Sequence, residues 1–292
     1  MDSKHLLKFS QLPPDEKGVG GTRTSASKQT FPILKGMSLY KLILLPNGVR
    51  EPHWHANADE LGYCLKGQVL VSLYNTGDTH AAFLVNEGEA FLIPSGALHH
   101  IINVGEGNAE LILNFSNEET EDFHLSSTLG MFSDAVLGNT WNVKEKVFHS
   151  LKRSLNYPFA TLLDHAPKLS SSTNDSSPYH YRLEAEQPLL SNEGGLVRVA
   201  RTSTWPIATQ QALYSLQLSG EGMREPHWHP ETAELGYIKK GKGRMSILSP
   251  SGNVDTYVME EGDLYFIPKA YPHHIENLMT DSLEILIFFE PP

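Results

Sequence analysis

The chain has one cysteine, Cys64, so no intrachain disulfide can staple it, and a disulfide-framework fold is excluded. No run approaches the ~18 consecutive apolar residues that a membrane-crossing helix requires, and the N-terminal stretch MDSKHLLKFSQLPPDE has neither the apolar core nor the small-residue cleavage site of a secretory leader. A cytoplasmic location is the expectation. Positive charge is also short. Against 34 acidic residues stand 23 Lys and Arg, a formal charge of −11, which is the wrong sign for a general nucleic-acid binder or a protein that adheres to anionic membranes. With 292 residues and 40% hydrophobic content, the chain is nevertheless long and apolar enough to bury about two ordinary domains.

Histidine is plentiful, with 14 copies gathered in short clusters. The clusters expose an internal repeat. GVREPHWHANADELGYCLKG, from Gly48, returns as GMREPHWHPETAELGYIKKG from Gly222, an offset of 174 residues. The same offset carries Gly20 to Gly194, Pro94 to Pro268, His99 to His273 and Phe115 to Phe289 without a gap. Each copy is domain-sized, and the two share a backbone. Within the first copy, MSLYKLILL (37–45), QVLVSLY (68–74) and the short apolar run 89–93 predict strands, punctuated by Gly and Asn. Strands about every ten residues predict an all-β antiparallel sandwich or small barrel for each copy. Leu125, Leu129, Phe132 and Val136 have helix-like spacing, which predicts a short helical segment after the first barrel. The expected domains are 1–150 (first barrel, post-barrel segment and helices), a linker at 151–178 that ends in LSSSTNDSSP, and 179–292 (second barrel).

The chemistry-bearing residues repeat with the backbone. His53, His55, Glu60 and His99 combine three imidazoles and a carboxylate, and His227, His229, Glu234 and His273 do so again. Residues two apart on a strand face the same side, so His53 and His55 can both point into a barrel while Trp54 points away. Glu60 and His99 from neighbouring strands would complete a metal site with positions left for substrate. Asp59 and Glu231 are rival carboxylates, but Glu60 and Glu234 match each other across the repeat.

These motifs resemble the cupin pattern. Gly48, His53, His55, Glu60 and Gly67 form the first block, and Gly88, Pro94, Gly96, His99 and Asn103 the second, with Ala270 in the second copy as the one departure. Two such blocks make a bicupin, and REPHWH, ELGY, KGKGRMSI and GDLYFIP look like the oxalate decarboxylases. The resemblance implies two tandem jelly-roll barrels, each holding manganese through the four residues named. Donor softness does not select manganese, since a His-rich site binds Zn, Cu, Ni or Fe more tightly at equal availability, and Co is open as well. It also implies Arg50 and Arg224 as carboxylate-binding residues, dioxygen as a further reactant, and a possible homo-oligomer. A proton-shuttling Glu from a loop after the first barrel is implied as well, here Glu119 by alignment, with Glu118 and Glu121 as competitors. The expected activity is cleavage of oxalate, or a similar small carboxylic acid, to formate and CO2 at the N-terminal site. An oxidase producing CO2 and hydrogen peroxide, or a metal-bearing cupin that binds a small acid or sugar without turnover, are the alternatives. The second copy lacks an evident counterpart of Glu119, since Ile287 or Phe288 falls at that position and Glu290 only nearby, so it reads as an ancillary metal site.

Overall fold

The computed structural model describes residues 3–77, 79–151, 158–165, 167 and 176–290. All sheets are antiparallel, and each repeat folds into two of them facing one another. In the first repeat the larger sheet runs, in spatial order, Ala90–Ile93, Glu60–Lys66, Ala109–Phe115, Ser38–Leu44, Gly21–Ala26 and Glu16–Gly18. The opposing sheet is built on Gly48–His55, Leu98–Asn103, Gln68–Asn75 and Thr79–Asn86. The second repeat reproduces this arrangement, with Met223–His227, His273–Asn277, Lys242–Leu248 and Val254–Glu260 as its smaller sheet. The predicted strands at 37–45, 68–74 and 89–93 are present as Ser38–Leu44, Gln68–Asn75 and Ala90–Ile93.

Inward-facing side chains such as Leu42, Val71, Phe83, Phe91 and Leu111 fill the first barrel, and Ile238, Met245, Met259, Tyr265 and Ile285 fill the second. A third core lies between the barrels, where Leu61, Leu92 and Ile112 meet Leu235, Phe266 and Leu286 from the backs of the two larger sheets. The faces of each larger sheet are therefore both buried, so its strands read as continuous apolar runs instead of strict alternation.

Two glycines show how tightly these interiors close. A Cβ on Gly62 would lie 2.2 Å from the Phe91 ring, and one on Gly236 would lie 2.1 Å from the Tyr265 ring. Asn103 and Asn277 are buried and staple loops: Asn103 Nδ2 donates to the carbonyls of Leu44 and Gly107, and Asn277 Nδ2 to those of Ser219 and Asp281. Ala270 takes the left-handed conformation, φ 62°, that Gly96 adopts at the equivalent turn, a geometry that costs an L-residue about 1–2 kcal/mol.

The repeats exchange arms. Leu6–Leu7 pairs with Leu264–Ile267 of the second barrel, and His180–Tyr181, at the positions displaced by the repeat offset, pairs with Ala90–Ile93 of the first. Limits drawn at 150 and 179 thus cut through both larger sheets. Part of the expected linker is also barrel: Ala160–Leu162 pairs with the Gly48–Arg50 end of the His53 strand, whereas residues 168–175 lie outside the described residues. The helical segment is present as Leu125–Gly130 and Asp134–Thr140, the second capped by Ser133, whose hydroxyl accepts from Val136 N at 3.3 Å. No helix among the described residues is long and apolar enough to cross a membrane.

Candidate metal centres

His53 and His55 sit at the end of the strand Gly48–His55, with Trp54 turned outward to stack on Phe123, ring centroids 5.3 Å apart. The neighbouring strand places His99 directly opposite His53, and a bulge follows immediately between His99 and Ile101. Glu60 opens the strand Glu60–Lys66 on the facing sheet. Pairing and pleat thus bring four side chains from two sheets to one point: the ligand atoms of His53, His55, Glu60 and His99 all lie within 4.8 Å of one another, as do those of His227, His229, Glu234 and His273.

The donor chemistry fits a metal. In the first group each imidazole commits Nδ1 outward: His53 to Glu51 O at 2.7 Å, His99 to Ala97 O at 2.9 Å, and His55 to Asp122 Oδ1 at 2.7 Å. That leaves every Nε2 facing the centre, as metal-ligating imidazoles do. Glu60 Oε1 is buried without a hydrogen-bond partner, and the buried Nε2 atoms of His99, His229 and His273 meet only the carboxylate of their own group, at 3.2 Å from Glu60 and at 3.0 and 3.4 Å from Glu234. Orphaned donors and acceptors at this depth are costly unless something satisfies them. Burial by itself would raise the Glu60 carboxyl, but the imidazoles of His55 and His99 outweigh it and hold it down at about 2. Burial drives His53 well below its usual range, into the neutral form that ligates. Glu234 is likewise held low by His229 and His273 despite its burial.

The two centres differ in how they are enclosed. The first is sealed. Asp122–His124 lies beside the His53 strand as an added strand, with Asp122 opposite His55 and His124 opposite His53. Arg50 is 4% exposed, its guanidinium 4.6 Å over the Phe159 ring and its Nη2 3.4 Å from Asp122 Oδ2. Arg23 donates to the same Asp122 oxygen at 3.3 Å and to Asp15 at 2.8 Å. The remaining cavity is about 10 Å³, room for about one water. Asp122 was not singled out by sequence reasoning. Burial opposes its charge, but His55, Arg50 and Arg23 overcome this and keep its carboxyl far below the ordinary range.

Glu119 is not at this centre. The residue is exposed, and its turn is clamped by Asn57, whose Nδ2 donates to Glu119 O at 3.0 Å while its Oδ1 accepts from Glu121 N at 2.9 Å. Glu121 is exposed too, and Glu118 turns away to accept from Gly36 N at 2.8 Å. Asn57 and Gly36 hold the acidic run outward, and only Asp122, where the chain rejoins the sheet, is left against the histidines.

The second centre is open. His227 and His229 are only partly buried, and a cleft of about 470 Å³ reaches the histidines and Glu234 past Arg224. The strand Met223–His227 stops two residues short of His229. Among the described residues no carboxylate stands against His229 as Asp122 does against His55. Instead Tyr265 Oη donates to Glu234 Oε1 at 2.6 Å, a bond that Phe91 cannot make to Glu60. Glu290 lies elsewhere, paired with Lys269 at 2.9 Å.

A cupin family model matches residues 9–148 and 181–292. Oxalate decarboxylase OxdC of Bacillus subtilis (strain 168) is 29% identical over 278 residues, covering 93% of this chain and 71% of that protein. A probable oxalate decarboxylase of Arthroderma benhamiae is 26% identical, covering 90% of this chain and 66% of that one. A solved structure of the Bacillus subtilis enzyme, from a study of its Mn(II) centres, superposes with a TM-score of 0.89 at 26% identity, over 100% of this chain and 78% of that one.

Proposed function

The chain belongs to the cupin family, as a bicupin with two His3Glu groups, and on that premise we propose that it is a manganese-dependent enzyme that cleaves oxalate, or a similar small carboxylic acid, to formate and CO2 at the N-terminal centre, with dioxygen as a further reactant. The observation that carries this reading is the seat of Arg50. Its buried guanidinium borders the His53, His55 and Glu60 cavity and already faces a carboxylate, Asp122, at 3.4 Å. A guanidinium in that place suits the far carboxylate of a metal-held dianion.

A bound manganese would supply Lewis-acid polarisation of the substrate oxygens. The rest falls to the chain. With about 10 Å³ available, substrate entry requires the segment 117–124 to move away. Asn57 is the latch of that movement, since its amide holds both sides of the Glu119 turn. Release of the latch frees Glu119 to swing inward, take a proton from the substrate and return one to the carbon that loses CO2. Asp122 is unsuited to that exchange, because its two oxygens are already engaged by His55 Nδ1, Arg50 and Arg23. Its work is to orient His55 and Arg50.

The outward position of Glu119 favours a second reading, an oxidase yielding CO2 and peroxide, because a carbon that is not protonated in time is left to oxidation. Product analysis on manganese-loaded protein given oxalate in air, measuring formate, CO2 and peroxide together, separates the readings. Formate in step with CO2, absent without air and lost in Glu119→Ala, is the expected result. Peroxide in place of formate makes the protein an oxidase. No product from metal-replete protein overturns both oxalate readings and leaves a binding cupin or an enzyme for another substrate.

A further inference from the structure

The mouths of the two barrels have opposite chemistry at equivalent positions. Around the first centre, Asp15, Glu16 and Arg23 form an ionic cluster, with Arg23 2.8 Å from Asp15 and 3.9 Å from Glu16. The repeat offset carries these three onto Leu189, Leu190 and Val197. The equivalence is structural as well, because Glu16 pairs with Arg23 across adjacent strands in the same register in which Leu190 pairs with Val197. Leu189, Leu190 and Val197 line the open cleft together with Leu216 and Met223, and the cleft ends at Arg224, His227 and Glu234. Leu189, Leu190 and Met223 are each more than half exposed. An apolar wall thus stands where the sister barrel has charge, directly beside a His3Glu group and a guanidinium.

We infer that the second centre is a binding site for a carboxylate that carries an aliphatic or aromatic tail, its head at Arg224 and the metal group and its tail along Leu189, Leu190, Val197 and Met223. A dianion as small as oxalate would leave that wall in water, and the cleft of about 470 Å³ is far larger than such a ligand needs. The two repeats would then divide their ligands by size and polarity while keeping one way of gripping a carboxylate. The inference does not rest on the oxalate reading of the first centre.

The test is equilibrium binding by calorimetry to manganese-loaded protein, with α-keto acids of growing chain length: pyruvate, α-ketobutyrate, α-ketovalerate and α-ketocaproate. Affinity should rise about threefold to fourfold for each added methylene that enters the cleft. Leu190→Glu combined with Val197→Arg, which carries the Glu16 and Arg23 pair of the first barrel onto exposed Leu190 and partly buried Val197, should flatten that dependence while leaving two metal equivalents bound. A flat series in the parent protein overturns the inference, as does a dependence on chain length that survives the double substitution. If the parent also self-associates and the substituted protein does not, a flat series assigns the wall to a second copy of the chain. Because the readout is binding of acids other than oxalate, its failure is distinct from failure to turn oxalate over.

Discussion

His55 donates through Nδ1 to Asp122 at 2.7 Å, and this bond presents its Nε2 to the first centre. His229, the repeat equivalent of His55, has no carboxylate in that place among the described residues. Partners of this kind are worth about 10–100-fold in metal affinity. Asp122→Ala should therefore weaken manganese binding by about that factor at one centre and leave the other unchanged, read by electron paramagnetic resonance of free manganese during titration. Equal weakening at both centres would refute the assignment.

Removing metal should destabilise the fold, because the imidazoles and carboxylate of each group are then buried with only one another as partners. At a free metal concentration about 100 times the dissociation constant, each bound ion contributes about 2.7 kcal/mol. Chelation should lower the melting temperature and manganese should restore it. Glu60→Gln and Glu234→Gln should each remove about one bound equivalent, and together both, as counted by elemental analysis. Retention of an equivalent by the double variant would sink the ligand assignment.

The arm that carries His180 is tied to the first barrel through Glu89, whose carboxylate lies 2.9 Å from His180 Nε2 and accepts from Asn86 N at 2.7 Å. Burial would raise the Glu89 carboxyl, but the Asn86 backbone bond and His180 together pull it below its ordinary 4.5. A depressed carboxyl stabilises the fold above its unfolded pKa and loses that contribution as pH falls through the native value. Glu89→Gln should thus cost about 1 kcal/mol near neutrality, and the gap to the parent protein should shrink as the pH falls below 4.5. Urea denaturation across pH checks this, and a gap that widens on acidification would count against it.

Cys64 is fully buried and its thiol, desolvated, is pushed up to about 12. Since the thiolate is the reacting species, iodoacetamide at pH 8 should leave the native protein unlabelled and modify it stoichiometrically in denaturant, as seen by intact mass. Labelling of the native protein at the denatured rate would contradict this burial.

The repeat, the strands and the two His3Glu groups were legible because period and spacing carry them. His53 and His55 share a face by the pleat alone, and Glu60 and His99 stand out because the offset repeats them in Glu234 and His273. The exchanged arms were not legible, since Leu6–Leu7 and His180–Tyr181 are too short to announce which sheet they join. Nor was Asp122. It sits at the end of the acidic run 118–122, and nothing in the order of those residues says which one is turned inward.

What the sequence determined by itself is the set of groups that repeat: two barrels, two His3Glu sets and two arginines. What only the tertiary structure decided is access and proton placement. Strand pairing of Asp122–His124 beside the His53 strand seals the first centre, turns Glu119 out and Asp122 in, while the second remains open. The reason is that ligation geometry follows from local pleat and register, whereas the direction of a loop side chain depends on which distant groups, here Asn57 and Gly36, satisfy that loop's hydrogen bonds.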